Sequence, residues 1–184
     1  SDDWSLGIFT RELNALYQAY AGGHPNPLPQ LPIQYADFAE WQRQWLVGEV
    51  LDSQLSYWRR QLAGAPPLLE LPWDYPRPPH PSHSGDRHTF TVSNSLTQAL
   101  KQLSQKTGTT LFITLLAAFN TLLYRYTQKD DIVIGSPIAN RNHVEVEGLI
   151  GFFVNTLVLR TDLSGQPSFQ TLLERVRQTA LEAY

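Results

Sequence analysis

Residues 150–160 read Ile150-Gly151-Phe152-Phe153-Val154-Asn155-Thr156-Leu157-Val158-Leu159-Arg160. From Phe152 to Arg160 the run is short and rich in β-branched residues, as a buried strand is. Asn155 and Thr156 interrupt it with polar side chains. Buried polar groups without partners are costly, so either backbone groups satisfy these two or they face a ligand. Downstream, Ser168 caps a helix with Phe169, Leu172, Leu173, Val176 and Ala180 pointing inward. Upstream, Ile132-Val133-Ile134 reads as a short buried strand ending at Gly135. In Gly135-Ser136-Pro137 the glycine lets a turn approach a ligand closely. Asn94 or Ser95 caps an earlier helix carrying Leu96, Leu100 and Leu103, which Gly108 ends. Thr109 or Thr110 caps the next, Leu111 to Tyr124, which is apolar nearly all round and therefore expected to be buried. Arg87 to Val92 alternates polar and apolar, as a half-buried strand does. Alternation of strands and helices argues for a layered α/β lobe.

The first third reads differently. Ser5 is a plausible N-cap for a helix with Leu6, Phe9, Leu13, Leu16, Tyr17 and Tyr20 on one face, ended by Gly22-Gly23. Pro25, Pro27, Pro29 and Pro32 then make an extended loop. A second helix is expected from Tyr35 to Leu62, with one stripe of Phe38, Trp41 and Trp45 and another of Leu51, Leu55, Trp58 and Leu62. Gly48 between the stripes marks a bend or break. The three tryptophans read as core packing. Pro66, Pro67, Pro72, Pro76, Pro78, Pro79 and Pro81 stiffen residues 64–86 into a link. The expected division is therefore 1–63, a linking segment 64–86, and 87–184.

Composition narrows the function. The chain has 184 residues, 42% of them hydrophobic, enough for a substantial core. A net charge of -3 gives no sign of a polyanion-binding surface, so nucleic acid is not an expected partner. With no cysteine, a disulfide scaffold, a cysteine nucleophile and a thiolate metal site are excluded, and a reducing, cytoplasmic setting is expected. The most apolar stretch, Leu111 to Tyr124, is shorter than the ~20 residues of a membrane span, and no signal segment opens the chain. His80 and His83 are three apart but lie in the proline-rich link, so they read as a solvated pair and no metal site is expected. His88 reads as structural or surface. No phosphate-binding glycine loop and no GxSxG elbow occurs. Both ends read as cut: there is no methionine, and Tyr184 falls inside a helical pattern.

Four segments carry a resemblance. Ser1-Asp2-Asp3-Trp4-Ser5-Leu6-Gly7 resembles the tail of an HHxxxDG motif and the WS that follows it, with Asp3 where glycine is usual. Tyr35 to Gln42 is similar to YxDFAxWQ. Ile132 to Arg141, IVIGSPIANR, resembles IVIGSPIAGR with Asn140 where glycine is common. Ile150 to Arg160 matches IGxFVNTLxxR closely. These are motifs of nonribosomal peptide synthetase condensation domains, and their order and spacing make the chain resemble an internal fragment of one.

The resemblance implies a two-lobe fold similar to chloramphenicol acetyltransferase, incomplete at both ends here. Residues 1–63 would close the N-terminal lobe and 87–184 would open the C-terminal one. It implies amide-bond formation between two thioesters borne on the 4'-phosphopantetheine of upstream and downstream peptidyl carrier domains, with an adenylation domain in the same assembly line and no directly bound cofactor. The catalytic histidines would precede Ser1. Asp2 is implied to pair with Arg141 across the lobe interface as a structural support of the motif. Trp4, Ser5, Gly135, Ser136, Asn155 and Thr156 are the expected tunnel-lining residues. A coenzyme-A-dependent acyltransferase of the same superfamily and a non-catalytic carrier-binding lobe are the competing readings.

Overall fold

A computed structural model describes residues 1–76, 78, 80 and 85–184. In chain order the elements are α1 (Asp3–Ala21), α2 (Tyr35–Trp45), α3 (Gly48–Gln61), α4 (Asn94–Lys106), α5 (Leu111–Thr127), β1 (Asp131–Ile138), α6 (Val144–Glu147), β2 (Asn155–Asp162) and α7 (Phe169–Ala183). The strands pair in a two-stranded sheet, so the chain has the mixed α/β character expected. Two compact units are formed, Ser1–Ala63 with Ser136–Leu157, and Gly64–Gly135 with Val158–Tyr184. Segment 136–157, counted above with 87–184, thus belongs to the first unit.

In that unit Val146, Leu149 and Phe153 form a buried cluster against which Leu31, Ile33 and Phe38 pack. The N-cap of α1 is Asp2, not Ser5: its side chain accepts from the Ser5 amide. A carboxylate there also complements the positive end of the helix dipole. The helix expected from Tyr35 to Leu62 is two, broken at Leu46 and Val47, with Gly48 at φ +54 opening α3. Of the three tryptophans, Trp58 is half-buried, and the other two are not core residues. Trp41 and Trp45 are 42% and 45% exposed and stack on each other at 5.5 Å. It is Phe38 that reaches the cluster, 4.8 Å from the Phe153 ring.

In the second unit the caps are Ser93 for α4, rather than Asn94 or Ser95, and Thr110 for α5. One face of α5 is buried, through Ile113, Leu116, Ala117 and Leu123, but Phe112, Leu115, Phe119 and Leu122 are exposed. Helix α5 is therefore not buried all round. Strand β1 runs through Gly135 and Pro137 instead of stopping at the glycine, and β2 begins at Asn155 rather than Phe152. Arg87 to Val92 forms no strand; alternation alone supplies no ladder partner, and Phe90 stays exposed. Ser168 caps α7, and Leu172, Leu173, Val176 and Ala180 are buried, whereas Phe169 in the first turn is exposed. Among the described residues no single helix is long and apolar enough to cross a membrane. Pro79, Pro81 and His83 lie outside the described residues, and His80 is exposed.

Candidate functional site

The polar centre of the first unit is built from both of its segments. Arg141 Nη2 lies 3.2 Å from Asp2 Oδ1, and both side chains are almost fully buried. Each Asp2 oxygen has further donors. Oδ1 accepts from the Ser5 amide at 2.9 Å and the Ser5 hydroxyl at 2.6 Å. Oδ2 accepts from the Phe153 amide at 3.0 Å. Arg141 Nη1 donates to the carbonyls of Val146 and Leu149, closing the loop that holds α6. The guanidinium carbon sits 4.0 Å from the Phe153 ring centroid and 5.7 Å from that of Trp4. The planar fork of arginine suits this role: it serves several acceptors while its face rests on an aromatic ring.

Burial pushes the Asp2 carboxyl up. The hydrogen bonds from the Ser5 hydroxyl, the Phe153 and Ser5 amides and Arg141 outweigh it and hold the carboxyl well below the usual carboxylate range. Asp2 therefore stays ionised at neutral pH. Buried and already occupied by four donors, it is a structural anion. Both members lie in the first unit, not on opposite sides of a division between units.

Other sequence-derived candidates fall elsewhere. Ser5 is 0% exposed, so its hydroxyl cannot meet a substrate. Trp4 is half exposed, with its indole N–H donating to the Glu147 carbonyl at 3.0 Å. Asn155 and Thr156 are exposed rather than buried, and Asn155 Oδ1 accepts from the Thr156 amide. The choice between backbone partners and a ligand therefore does not arise from burial. Ser136 is half-buried on β1, and Gly135 is exposed and falls in the second unit. Asp2, Ser5, Trp4 and Arg141 are thus brought together. Among the described residues no hydrogen bond joins Ser136, Asn155 or Thr156 to that cluster.

Two participants escaped the sequence reading. Tyr35 donates its hydroxyl to the Phe152 carbonyl at 2.9 Å and meets Phe153 edge-on. Gly151 carries the backbone that bonds to Ser5 and Asp2. A Cβ there would lie 2.7 Å from Tyr35 Cε2 and 2.8 Å from Phe153 Cε2, closer than real Cβ contacts come. A lone glycine in an otherwise apolar run was the available signal. Among the described residues no group of His, Asp or Glu is placed to hold a metal ion.

The profile of the family described as Condensation domain matches residues 1–184. A linear gramicidin synthase polypeptide of Brevibacillus parabrevis is 59% identical over 184 residues, which is 100% of this chain and 4% of that protein. The chain thus spans a small part of the curated relatives it matches. Among solved structures, the X-domain from teicoplanin biosynthesis is similar with a TM-score of 0.91 and 30% identity, over 100% of this chain and 42% of that one. The first condensation domain of the calcium-dependent antibiotic synthetase shares the fold with a TM-score of 0.78 at 19% identity, over 98% of this chain and 41% of that one.

Proposed function

The chain belongs to the condensation-domain family, and from that premise we propose that it is part of a domain that forms amide bonds in nonribosomal peptide synthesis. The match of the family over all 184 residues carries this reading. In the proposed reaction the acceptor's amine attacks the carbonyl of the donor thioester. A C–N bond forms, the C–S bond breaks, and the amine's proton ends on the departing thiol. Both acyl groups ride on 4'-phosphopantetheine arms of carrier domains, upstream and downstream, in an assembly line that includes an adenylation domain. Holding the two reactants in line can lower the barrier by about 7–11 kcal/mol. A free amine is already nucleophilic, so no covalent enzyme intermediate is required, in keeping with a chain without cysteine.

Asp2 and Arg141 are assigned as the structural pair that fixes the motif turn. The histidines that handle the proton or aim the amine are assigned to the residues preceding Ser1 in the parent synthetase. Trp4, Asn155 and Thr156 are exposed and so free to line a passage for a pantetheine arm; Gly135 and Ser136 are assigned to the same lining. The synthetase is placed in the cytoplasm, with no nucleic-acid or membrane partner.

The test uses the intact synthetase module with both carriers loaded, following the dipeptidyl thioester by mass spectrometry. Product on the downstream carrier is expected. Loaded carriers and no product would overturn the reading. A second reading has one observation in its favour: the similar X-domain was also solved in complex with OxyB. On that reading the domain recruits a partner protein and performs no condensation, and the same assay separates the two.

A further inference from the structure

We infer that Ser5 is a positioning residue for the condensation reaction proposed above, on which this inference rests: one buried hydroxyl locks the turn at Asp2 to the segment leading into Asn155 and Thr156. A hydroxyl has one proton to donate and two lone pairs to accept with. Here both lone pairs are engaged. Ser5 Oγ accepts from Arg141 Nη2 at 3.0 Å and from the Gly151 amide at 3.0 Å. Its proton has two acceptors in reach, Asp2 Oδ1 at 2.6 Å and the Gly151 carbonyl at 2.8 Å. That carbonyl also accepts from the Asp2 amide at 3.2 Å. The Gly151 peptide is thus bound through both its N–H and its C=O to the first residues of the chain, 146 positions away.

Geometry separates this role from that of the ion pair. Without the Ser5 hydroxyl, Arg141 still reaches Asp2 and the carbonyls of Val146 and Leu149. Asp2 still accepts from the Ser5 and Phe153 amides. No buried charge is orphaned, so the unit keeps its fold. Besides the hydroxyl's bonds to Asp2, Arg141 and the Gly151 carbonyl, what disappears is the only hydrogen bond among the described residues made by the Gly151 amide. That amide is one of three ties between the two segments, beside the Asp2 amide on the Gly151 carbonyl and the Phe153 amide on Asp2, and its loss loosens where Asn155 and Thr156 begin relative to the turn at Asp2. In the proposed reaction the histidines stand just before that turn and the substrate arm runs along the other segment. An error in the distance between them falls on the chemical step, because misplacement by about 1 Å can cost about 100-fold in rate.

The experiment compares Ser5→Ala and Ser5→Thr with wild type in the intact synthetase module, with both carriers loaded. Ser5→Ala is expected to lower the single-turnover condensation rate by about 10- to 100-fold. The apparent KM for the acceptor carrier and the loading of both carriers should not change. Hydrogen exchange should quicken in peptides covering 150–154 while the α7 peptides keep their protection. Ser5→Thr, which keeps a hydroxyl, should recover part of the rate. Wild-type turnover in Ser5→Ala would overturn the inference. So would loss of protection throughout the first unit, which would make Ser5 a stability residue alone. A wild-type module that loads both carriers and makes no product refutes instead the functional reading, independently of either variant.

Discussion

Arg141→Met removes one charge of the buried pair and keeps an unbranched apolar side chain in its place. Breaking such a pair by deleting one partner typically costs about 3–5 kcal/mol, since the other charge is left buried. Here the Asp2 part of that cost sits at the low end, because Asp2 keeps the two amides and the Ser5 hydroxyl. Two further losses add to it. The Leu149 carbonyl loses its donor Arg141 Nη1, and the Val146 carbonyl loses the same charged donor but keeps the Leu149 amide; a buried group left unsatisfied costs about 1–3 kcal/mol. A net loss of about 4–6 kcal/mol follows, which at ~1.36 kcal/mol per decade is about a thousandfold or more in the local opening equilibrium. The assay is hydrogen exchange in the intact protein, reading peptides that contain the Ser5 and Phe153 amides. A fall in protection of less than tenfold would refute the reasoning. Asp2→Asn combined with Arg141→Met should lose less than the two single variants summed, because no unpaired charge remains.

The same pair has a defined pH signature. Asp2 titrates lower in the folded chain than in the unfolded one, so the folded state binds fewer protons in acid. Its contribution is therefore complete above the unfolded carboxyl value of about 3.9 and declines as pH falls from there. Arg141→Met removes one of the effects holding that carboxyl down while burial stays. The acid loss of protection that Asp2 causes should therefore be smaller in the variant and should level off at a higher pH than in wild type. An unmoved acid limb would mean that Arg141 does not act on Asp2.

Two further substitutions test the surroundings. Gly151→Ala places a methyl against the Tyr35 and Phe153 rings; overpacking of this kind costs about 1–3 kcal/mol, and exchange in 150–154 should rise, with unchanged exchange arguing against the tight approach. Thr161 is 1% exposed on β2 and its hydroxyl has no hydrogen-bond partner among the described residues, so Thr161→Val should be neutral or stabilise β2 by up to about 1 kcal/mol; a loss larger than that, read as faster exchange in 158–163, would reveal a partner for the hydroxyl.

What the sequence disclosed follows from the range of each signal. Helix α7 was legible because its cap, Ser168, and its buried positions are read within a few residues of one another. The break at Gly48 was legible for the same reason. Burial was not: periodicity tells which residues share a face of α5, but whether a neighbour covers Phe112, Leu115, Phe119 and Leu122 depends on residues far along the chain. The strand expected at Arg87 to Val92 failed likewise, because alternation is local and a ladder partner is not. Ser5 satisfies the cap preference at the start of α1, but aspartate caps as well as serine does, so propensity does not favour it over Asp2. Asp2 took the cap, which freed the Ser5 hydroxyl for Gly151 and Arg141. The pairing of Asp2 with Arg141, 139 positions apart, came from motif resemblance and from no periodicity.

That polar centre lies beside apolar side chains that could have filled its space. A buried ion pair is weak evidence of net stabilisation, and well-packed apolar replacements of both partners are often neutral or better. What apolar groups cannot do is fix register. One oxygen of Asp2 holds the first turn of α1 and the other holds the Phe153 amide, 151 positions away. Arg141 adds the two carbonyls that close the loop around α6. Sliding any one of these segments by a residue would leave a charge or a buried amide unmatched, at a cost of about 1–3 kcal/mol for each neutral group and more for the charge. A greasy contact would simply readjust. The pair thus selects one alignment of two distant segments, which is what the proposed reaction, with near-ångström placement of two thioesters, would require of its frame.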